Sequence, residues 1–183
     1  QLDYAGDLFF VDHHFSHAAS AFYPSPFDDA AILTLDGVGE WATASYGYGG
    51  ENNITLLKEM MFPHSIGLLY STVTAHLGFS VNNSEYKVMG LSPYGKPIYY
   101  DKFKKIVDIK EDGSFVLDMD YFDYHYKLRM PSKKFIEEFG PTRSPESELT
   151  QHHKDIAASL QKITEEIIFK MLNHLHKVTK LDN

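Results

Sequence analysis

The sequence predicts an α/β fold in which a three-stranded antiparallel meander is flanked by helices. Residues 30–60 contain three apolar or alternating runs separated by glycine-containing turns, as expected of consecutive antiparallel strands. Two later segments, residues 64–77 and 150–178, repeat apolar residues at helical spacing without an interior proline. Strands followed by long helices place the chain in the mixed class.

The chain is predicted to begin with a strand and a helix. Residues 7–12 contain a short apolar run that is typical of a buried strand. The alanine-rich residues 13–22 predict a helix, and Pro24 and Pro26 prevent its continuation. Because a whole domain rarely begins on a core strand, we expect the chain to be an internal fragment.

The meander is predicted to have strands at residues 30–36, 41–48 and 54–60. Its turns are expected at residues 37–39 and 49–52, where the glycines lie. The helix at 64–77 follows, with Gly78 as its C-terminal cap.

The second half of the chain is less regular until its end. Residues 80–97, punctuated by glycine, asparagine and proline, predict a loop with at most one helical turn. Residues 98–150 are interpreted as a possible insertion, with a helix or strand at 103–109 and a strand at 114–117. Four aromatic residues are expected to pack a lid or a satellite core: Tyr121, Phe122, Tyr124 and Tyr126. Apolar residues repeat at helical spacing without interruption over 150–178, which predicts a long helix.

Composition excludes several classes of protein. The net charge of −8 argues against general binding to nucleic acid or to an anionic membrane surface. The absence of cysteine excludes disulfides and thiolate metal sites. No apolar run approaches the ~20 residues of a membrane span. We therefore expect a cytoplasmic protein with no nucleic-acid or membrane partner.

Histidines at helical spacing form the first candidate site. His13 and His17 are four residues apart on the predicted helix, so both imidazoles can reach one cation. Two imidazoles suit Zn(II) or Fe(II) and require further ligands, commonly carboxylates. His14 and His17 offer an alternative pair at i, i+3. Chance and structural roles explain most such spacings.

A carboxylate and a glycine pair form the second candidate. Asp36 ends an apolar strand, where ligand sites of α/β sheets often lie, although Asp-Gly also simply closes hairpins. Gly37 and Gly39, with Val38 between them, could bring backbone amides close to a phosphate. A turn without a ligand is the simpler interpretation.

The third candidate lies in the loop at residues 82–95. Lys87 could neutralise a phosphate, and Glu85 could act as a base or hold Lys87. A solvated surface ion pair would explain both residues equally well.

Together these segments resemble the O-carbamoyltransferases of nodulation-factor and antibiotic biosynthesis. The resemblance covers nearly the whole chain, and its motifs occur in the family's order, ending with the helix that starts near His152. Four segments carry it: residues 11–21 (Val-Asp-His-His-Phe-Ser-His-Ala-Ala-Ser-Ala), 33–41 (Leu-Thr-Leu-Asp-Gly-Val-Gly-Glu-Trp), 62–70 (Phe-Pro-His-Ser-Ile-Gly-Leu-Leu-Tyr) and 85–95 (Glu-Tyr-Lys-Val-Met-Gly-Leu-Ser-Pro-Tyr-Gly).

The resemblance implies an actin-like ATPase (ribonuclease H-like) fold, similar to the tRNA threonylcarbamoyl transferase. It implies that a carbamoyl group moves from carbamoyl-adenylate, made from carbamoyl phosphate and ATP, to the hydroxyl of a small-molecule alcohol. By the same resemblance His13, His17 and Asp36 ligate Fe(II), with Zn(II) as the alternative, and the turn from Gly37 to Gly39 contacts phosphate.

The resemblance also implies what residues 1–183, a partial N-terminal catalytic domain, do not contain. These are a second carboxylate ligand, an adenosine-binding segment and the C-terminal adenylate-forming domain. We therefore expect the chain alone to be inactive. Two other classes remain open: a non-enzymatic metal- or nucleotide-binding module, and a metal-dependent hydrolase with Glu40 as its base.

Overall fold

A computed structural model describes residues 5–183 of the chain. Within that range, a first helix is followed by three strands, then by short helices and a pair of short strands, and a long helix ends the chain. In chain order the elements are α1 (His13–Phe22), β1 (Asp29–Gly39), β2 (Ala42–Gly50), β3 (Asn53–Met61), α2 (Ile66–His76), α3 (Glu85–Leu91), α4 (Tyr100–Ile106), β4 (Val107–Ile109), β5 (Phe115–Leu117), α5 (Lys133–Phe139) and α6 (Gln151–Thr179). No helix in this range is long and apolar enough to cross a membrane.

The predicted meander is confirmed. Strands β1, β2 and β3 form one antiparallel sheet in that order. Glu51 and Asn52, with φ of 50° and 66°, make the tight turn between β2 and β3.

The first predicted turn was misplaced. The sequence placed it at residues 37–39, but the chain turns at Glu40 and Trp41, and Gly39 already pairs with Ala42. Glu40 adopts the left-handed conformation, with φ of 61°. The pairing register shifts between Leu35 and Gly39, so the three residues between them leave the regular ladder.

The predicted strand at residues 7–12 is wrong. This segment is irregular and exposed, with Leu8, Phe9 and Phe10 at 72%, 87% and 93% of their full accessibility. No strand in the described part of the chain pairs with it. In a strand without a partner strand, the backbone N–H and C=O groups can bond only to water. An apolar run alone therefore does not determine that a segment forms a strand.

The main hydrophobic core lies between the sheet, α2 and α6. As the helical period predicted, α2 buries Ile66, Leu69 and Val73. Thr150 caps α6 in a capping box with His153. The buried stripe of α6 then runs along most of the helix and consists of Ile156, Leu160, Ile163, Ile167, Met171 and Leu175.

Residues 80–139 are more helical than the sequence suggested. The predicted loop at 80–97 contains α3, and α5 was missed, although Ser132 caps it and Phe135 and Phe139 are buried one turn apart. The interval 103–109 is divided between α4 and β4. Three of the four aromatic residues pack in the main core instead of a lid or a satellite core: Tyr121 and Phe122 are buried in it, and Tyr124 packs against it.

A second, smaller core lies on the opposite face of the sheet, beneath α1. It consists of Ala18, Phe22, Ala30 and Ile32. Leu33, the next residue of β1, faces the main core instead, because side chains alternate along a strand. The sheet therefore separates α1 from all the other helices that pack against it.

Candidate metal centre

Helix α1 and strand β1 bring together the three predicted metal ligands. Because His13 and His17 lie one helical turn apart, their Nε2 atoms are 2.9 Å from each other. Asp36 lies where β1 departs from its regular ladder, and its Oδ2 is 2.6 Å from Nε2 of His13 and 3.4 Å from that of His17. All three side chains are partly exposed.

The geometry of these three donors fits a transition-metal ion. Donor atoms bound at ~2.1 Å to one ion lie about 3.0–3.4 Å apart at angles of 90–109°. Two of the three separations agree with this range, and the third, 2.6 Å between His13 and Asp36, has the length of a hydrogen bond. Two imidazoles and a carboxylate form a ligand set that suits Fe(II) and Zn(II).

His14 does not belong to the cluster. Its ring is buried and lies against the sheet, with Nε2 3.0 Å from the carbonyl oxygen of Ala42. Because a carbonyl only accepts, Nε2 carries the proton, and Nδ1 accepts from the Thr34 hydroxyl at 2.6 Å. The alternative pair of His14 and His17 is therefore excluded, and His14 instead anchors α1 on β1 and β2.

Close backbone approaches determine where the predicted ligands lie. A Cβ atom at Gly39 would be 2.1 Å from the ring of His13, so only glycine leaves room for this imidazole. At Gly67, in the first turn of α2, a Cβ would be 2.6 Å from the carbonyl oxygen of Asp36. Ser65, the cap of α2, donates its hydroxyl to the carbonyl of Gly37 at 2.6 Å. Helix α2 thus supports the segment that carries Asp36.

The electrostatic environment keeps Asp36 ionised. Burial alone would raise the pKa of Asp36. The hydrogen bond from the Gly37 amide, the hydrogen bond from His13 and the nearby charges of His13 and His17 outweigh burial and lower this pKa. An ionised carboxylate is the form that a cation requires.

A cleft of about 650 Å³ begins at Asp36. Gly37 and Val38, two of the three predicted phosphate-contacting residues, line it, whereas Gly39 packs on His13. The Gly37 amide donates to Oδ1 of Asp36 at 2.6 Å. The remaining lining comes from α2, the loop before α3, α3 itself and α6: Ile66, Gly67, Leu68, Tyr70, Ser71, Asn82, Glu85, Thr164 and Ile168.

Glu85 and Lys87 are separated by the structure. The Glu85 carboxylate accepts hydrogen bonds from the Ser71 hydroxyl at 2.8 Å and from the Asn82 amide at 2.9 Å. Burial raises the pKa of Glu85, but these hydrogen bonds dominate and lower it. Lys87 lines a different pocket, and the described residues contain no ion pair between the two side chains. The prediction of an ion pair between them is therefore wrong, whereas the separate roles of Glu85 as a base and of Lys87 as a phosphate-binding cation stay predictions.

The sequence did not indicate two further groups of the cleft. The Tyr70 hydroxyl donates to Gln161 at 3.2 Å, and burial raises the pKa of Tyr70 to about 12. Thr164 has a buried hydroxyl without a hydrogen-bond partner in the described residues. Gln161, Thr164 and Ile168 lie at helical spacing beside the buried stripe of α6, a signal that becomes informative only once the cleft is known.

Comparison with known proteins identifies the family of the chain. The sequence model of the carbamoyltransferase N-terminus matches residues 2–183. An uncharacterized protein of Synechocystis, sll1178, is 53% identical over 96% of the chain. Nodulation protein NolNO of Sinorhizobium fredii is 34% identical over 93% of the chain, and nodulation protein NolO of Bradyrhizobium diazoefficiens is 31% identical over 92%.

The chain spans only part of these relatives. It covers 29% of the Synechocystis protein, 24% of NolNO and 29% of NolO. The matching family model nevertheless covers almost the whole chain. The chain therefore belongs to the carbamoyltransferase family, whose N-terminal region it represents.

Proposed function

We propose that this chain is the metal-holding part of the catalytic domain of an O-carbamoyltransferase with an actin-like ATPase fold. The intact protein would move a carbamoyl group from carbamoyl-adenylate to the hydroxyl of a small-molecule alcohol. One observation carries the proposal: in a member of this family, His13, His17 and Asp36 converge at the edge of a cleft large enough for a ligand of nucleotide size.

In this proposal, a second domain synthesises the activated carbamoyl donor. Carbamoyl-adenylate would be made from carbamoyl phosphate and ATP outside residues 1–183. The low share of each relative that the chain covers leaves ample length for such a domain.

The proposed ion is Fe(II), with Zn(II) as the alternative, held by His13, His17 and Asp36. A cation there would supply Lewis acidity for a carbamoyl carbonyl or an acceptor hydroxyl. The protein's own contribution is positional. His14 fixes α1 on the sheet, and Ser65 fixes the backbone beside Asp36, so the donors are held in place before a ligand arrives.

The groups that line the cleft support carbamoyl-adenylate as its ligand. Val38 and Leu68 offer apolar contact in the cleft. Glu85, held by Ser71 and the Asn82 amide, is a fixed acceptor for ligand hydroxyls. These features fit a ligand that has both apolar and hydroxyl groups.

The decisive experiment uses the full-length protein that carries this chain. It is incubated with carbamoyl phosphate, ATP and a panel of alcohols, and carbamoylated product is measured by mass spectrometry. Bound metal is quantified in the same preparations. We expect product and metal in the wild type, and a loss of both in His13→Ala and His17→Ala.

His125→Ala is the matched control, because His125 is exposed and lies outside the cluster. It should retain both metal and activity. Normal metal content and normal transfer in His13→Ala and His17→Ala would refute the metal centre. Absence of any carbamoylated alcohol in the wild type would refute the proposed reaction.

A further inference from the structure

Arg143, in the segment between α5 and α6, is a buried guanidinium group with an unusual set of partners. It is only 7% exposed. Its Nε donates to the carbonyl of Leu77 at 2.7 Å, and Nη1 donates to the carbonyls of Ser147 at 2.8 Å and Ser144 at 3.2 Å. The guanidinium carbon lies 4.9 Å from the ring centre of Phe79.

All of these partners are electrically neutral. In the described part of the chain no carboxylate forms an ion pair with Arg143, and its Nη2 has no hydrogen-bond partner although it is accessible. A buried charge without a counter-charge is costly, so such groups are usually paired or bind a ligand. The charge also acts on its surroundings: after burial and His152, Arg143 is a third cause that lowers the pKa of His153.

Arg143 lines a pocket of about 350 Å³ to which α3 contributes Lys87. The hydroxyl-bearing residues Ser84 and Thr142 also line it. Glu146, whose side chain is exposed, is the single carboxylate in the lining, so the two cations give the pocket a positive balance. This pocket shares no lining residue with the cleft at Asp36.

We propose that this pocket, the Arg143 pocket, is a binding site for a phosphate group, either free phosphate or a small phosphate monoester. Nη2 of Arg143 would be the fixed donor, because its guanidinium is already held by three carbonyls and by Phe79. Lys87 would supply the second, mobile cation. The site is distinct from the metal centre and does not depend on the proposed transfer reaction.

The test measures phosphate binding to the full-length protein by calorimetry, with inorganic phosphate and glycerol phosphate titrated separately. Lys87→Gln removes one cation from the pocket. Lys133→Gln removes an equal charge from a side chain that is 88% exposed on α5 and serves as the matched control. We expect roughly tenfold weaker binding in Lys87→Gln, the scale of one lost hydrogen bond between charged groups, and no change in the control.

The position of the bound phosphate is tested with crystals soaked in tungstate, a phosphate mimic. An anomalous peak within bonding distance of Nη2 of Arg143 supports the proposal. Arg143→Lys tests the guanidinium directly, and if that variant does not fold, Lys87→Gln and the tungstate peak still decide. Equal affinities in the wild type and Lys87→Gln, or tungstate bound only elsewhere, would overturn it. Whichever of inorganic phosphate and glycerol phosphate binds more tightly shows whether the site takes free phosphate or a monoester.

Discussion

Gly39 shows how the absence of one side chain makes room for a predicted metal ligand. Its position in β1 faces the ring of His13 so closely that a Cβ would overlap the imidazole. Gly90 on α3 offers the opposite case, because a Cβ there would meet nothing within 4 Å. Alanine substitutions at the two glycines therefore distinguish the loss of space for the His13 ring from the general effect of an added methyl group.

We expect Gly39→Ala to displace His13 and to reduce bound metal severalfold while circular dichroism remains that of the folded protein. Gly90→Ala should retain its metal and should be equally or slightly more stable, because alanine is favoured in a helix. Metal analysis of the two purified variants checks this. Full metal occupancy in Gly39→Ala would mean that His13 is not a ligand.

His76 makes the stability of the protein depend on pH. It is 1% exposed, its Nε2 has no partner in the described residues, and burial, with the charges of His152 and His153, lowers its pKa to about 4. Above the unfolded pKa of about 6.5 both states are neutral. Below that pH the unfolded state binds the proton first, so stability falls until about pH 4, by on the order of 3 kcal/mol.

Urea unfolding at pH 7.5, 6.0 and 5.0 measures this effect. The wild type should lose stability steadily over the series, and His76→Gln should show a clearly shallower loss, because the variant has no proton to take up at this position. Parallel curves for the two proteins would show that His76 does not titrate in this way.

Sequence spacing indicated that His13 and His17 lie side by side on one helix turn, but it did not indicate groups whose partners are remote in sequence. His13 and His17 are close because of the helix itself, and Asp36 was indicated by the end of its strand. The burial of Arg143 depends on Leu77 and Phe79, more than sixty residues away in sequence, so no local pattern indicates it. The same is true of the cleft hydroxyl of Thr164.

Among the elements, α6 contributes the most to the core. Ile163 lies in the middle of its buried stripe and is completely inaccessible, whereas Phe169 on the opposite face is 62% exposed. We expect Ile163→Ala to destabilise the protein by about 2–5 kcal/mol through lost burial and a cavity. Phe169→Ala should change stability by less than about 0.5 kcal/mol. Chemical denaturation of both variants measures this, and similar losses would contradict the assigned orientation of α6.

Elements whose apolar residues repeat regularly over many positions were predictable from the sequence, and short elements were not. The meander and α6 extend over enough residues for their pattern to be distinct. Helices α3 and α5 have seven residues each. Ser132 caps α5, α3 has no side-chain cap, and both helices pack on the surrounding core. The apolar run at residues 7–12 satisfied the pattern of a strand, yet in the described chain it has no strand to pair with.

For the molecule as a whole, the proposal predicts that the 183-residue chain cannot catalyse transfer efficiently by itself. Synthetic carbamoyl-adenylate, metal and an alcohol accepted by the intact protein would be supplied to it. We expect a rate roughly a hundredfold or more below that of the intact protein, because imperfect positioning alone has effects of that size. The intact protein under the same conditions is the control. A comparable rate would show that residues 1–183 hold every group that the transfer step needs.

The division of the hydrophobic core has a consequence for how long the proposed metal centre would persist. Two of its proposed ligands are on α1, which rests on the small core of Ala18, Phe22, Ala30 and Ile32, while Asp36 is supported by the main core through α2. A helix held by few buried side chains opens more often than the molecule unfolds. Amide protons of α1 should therefore exchange with solvent sooner than those of α6. We expect the proposed centre to come apart and re-form many times during the lifetime of one folded molecule, so the rate of ion release would depend mainly on the opening of α1.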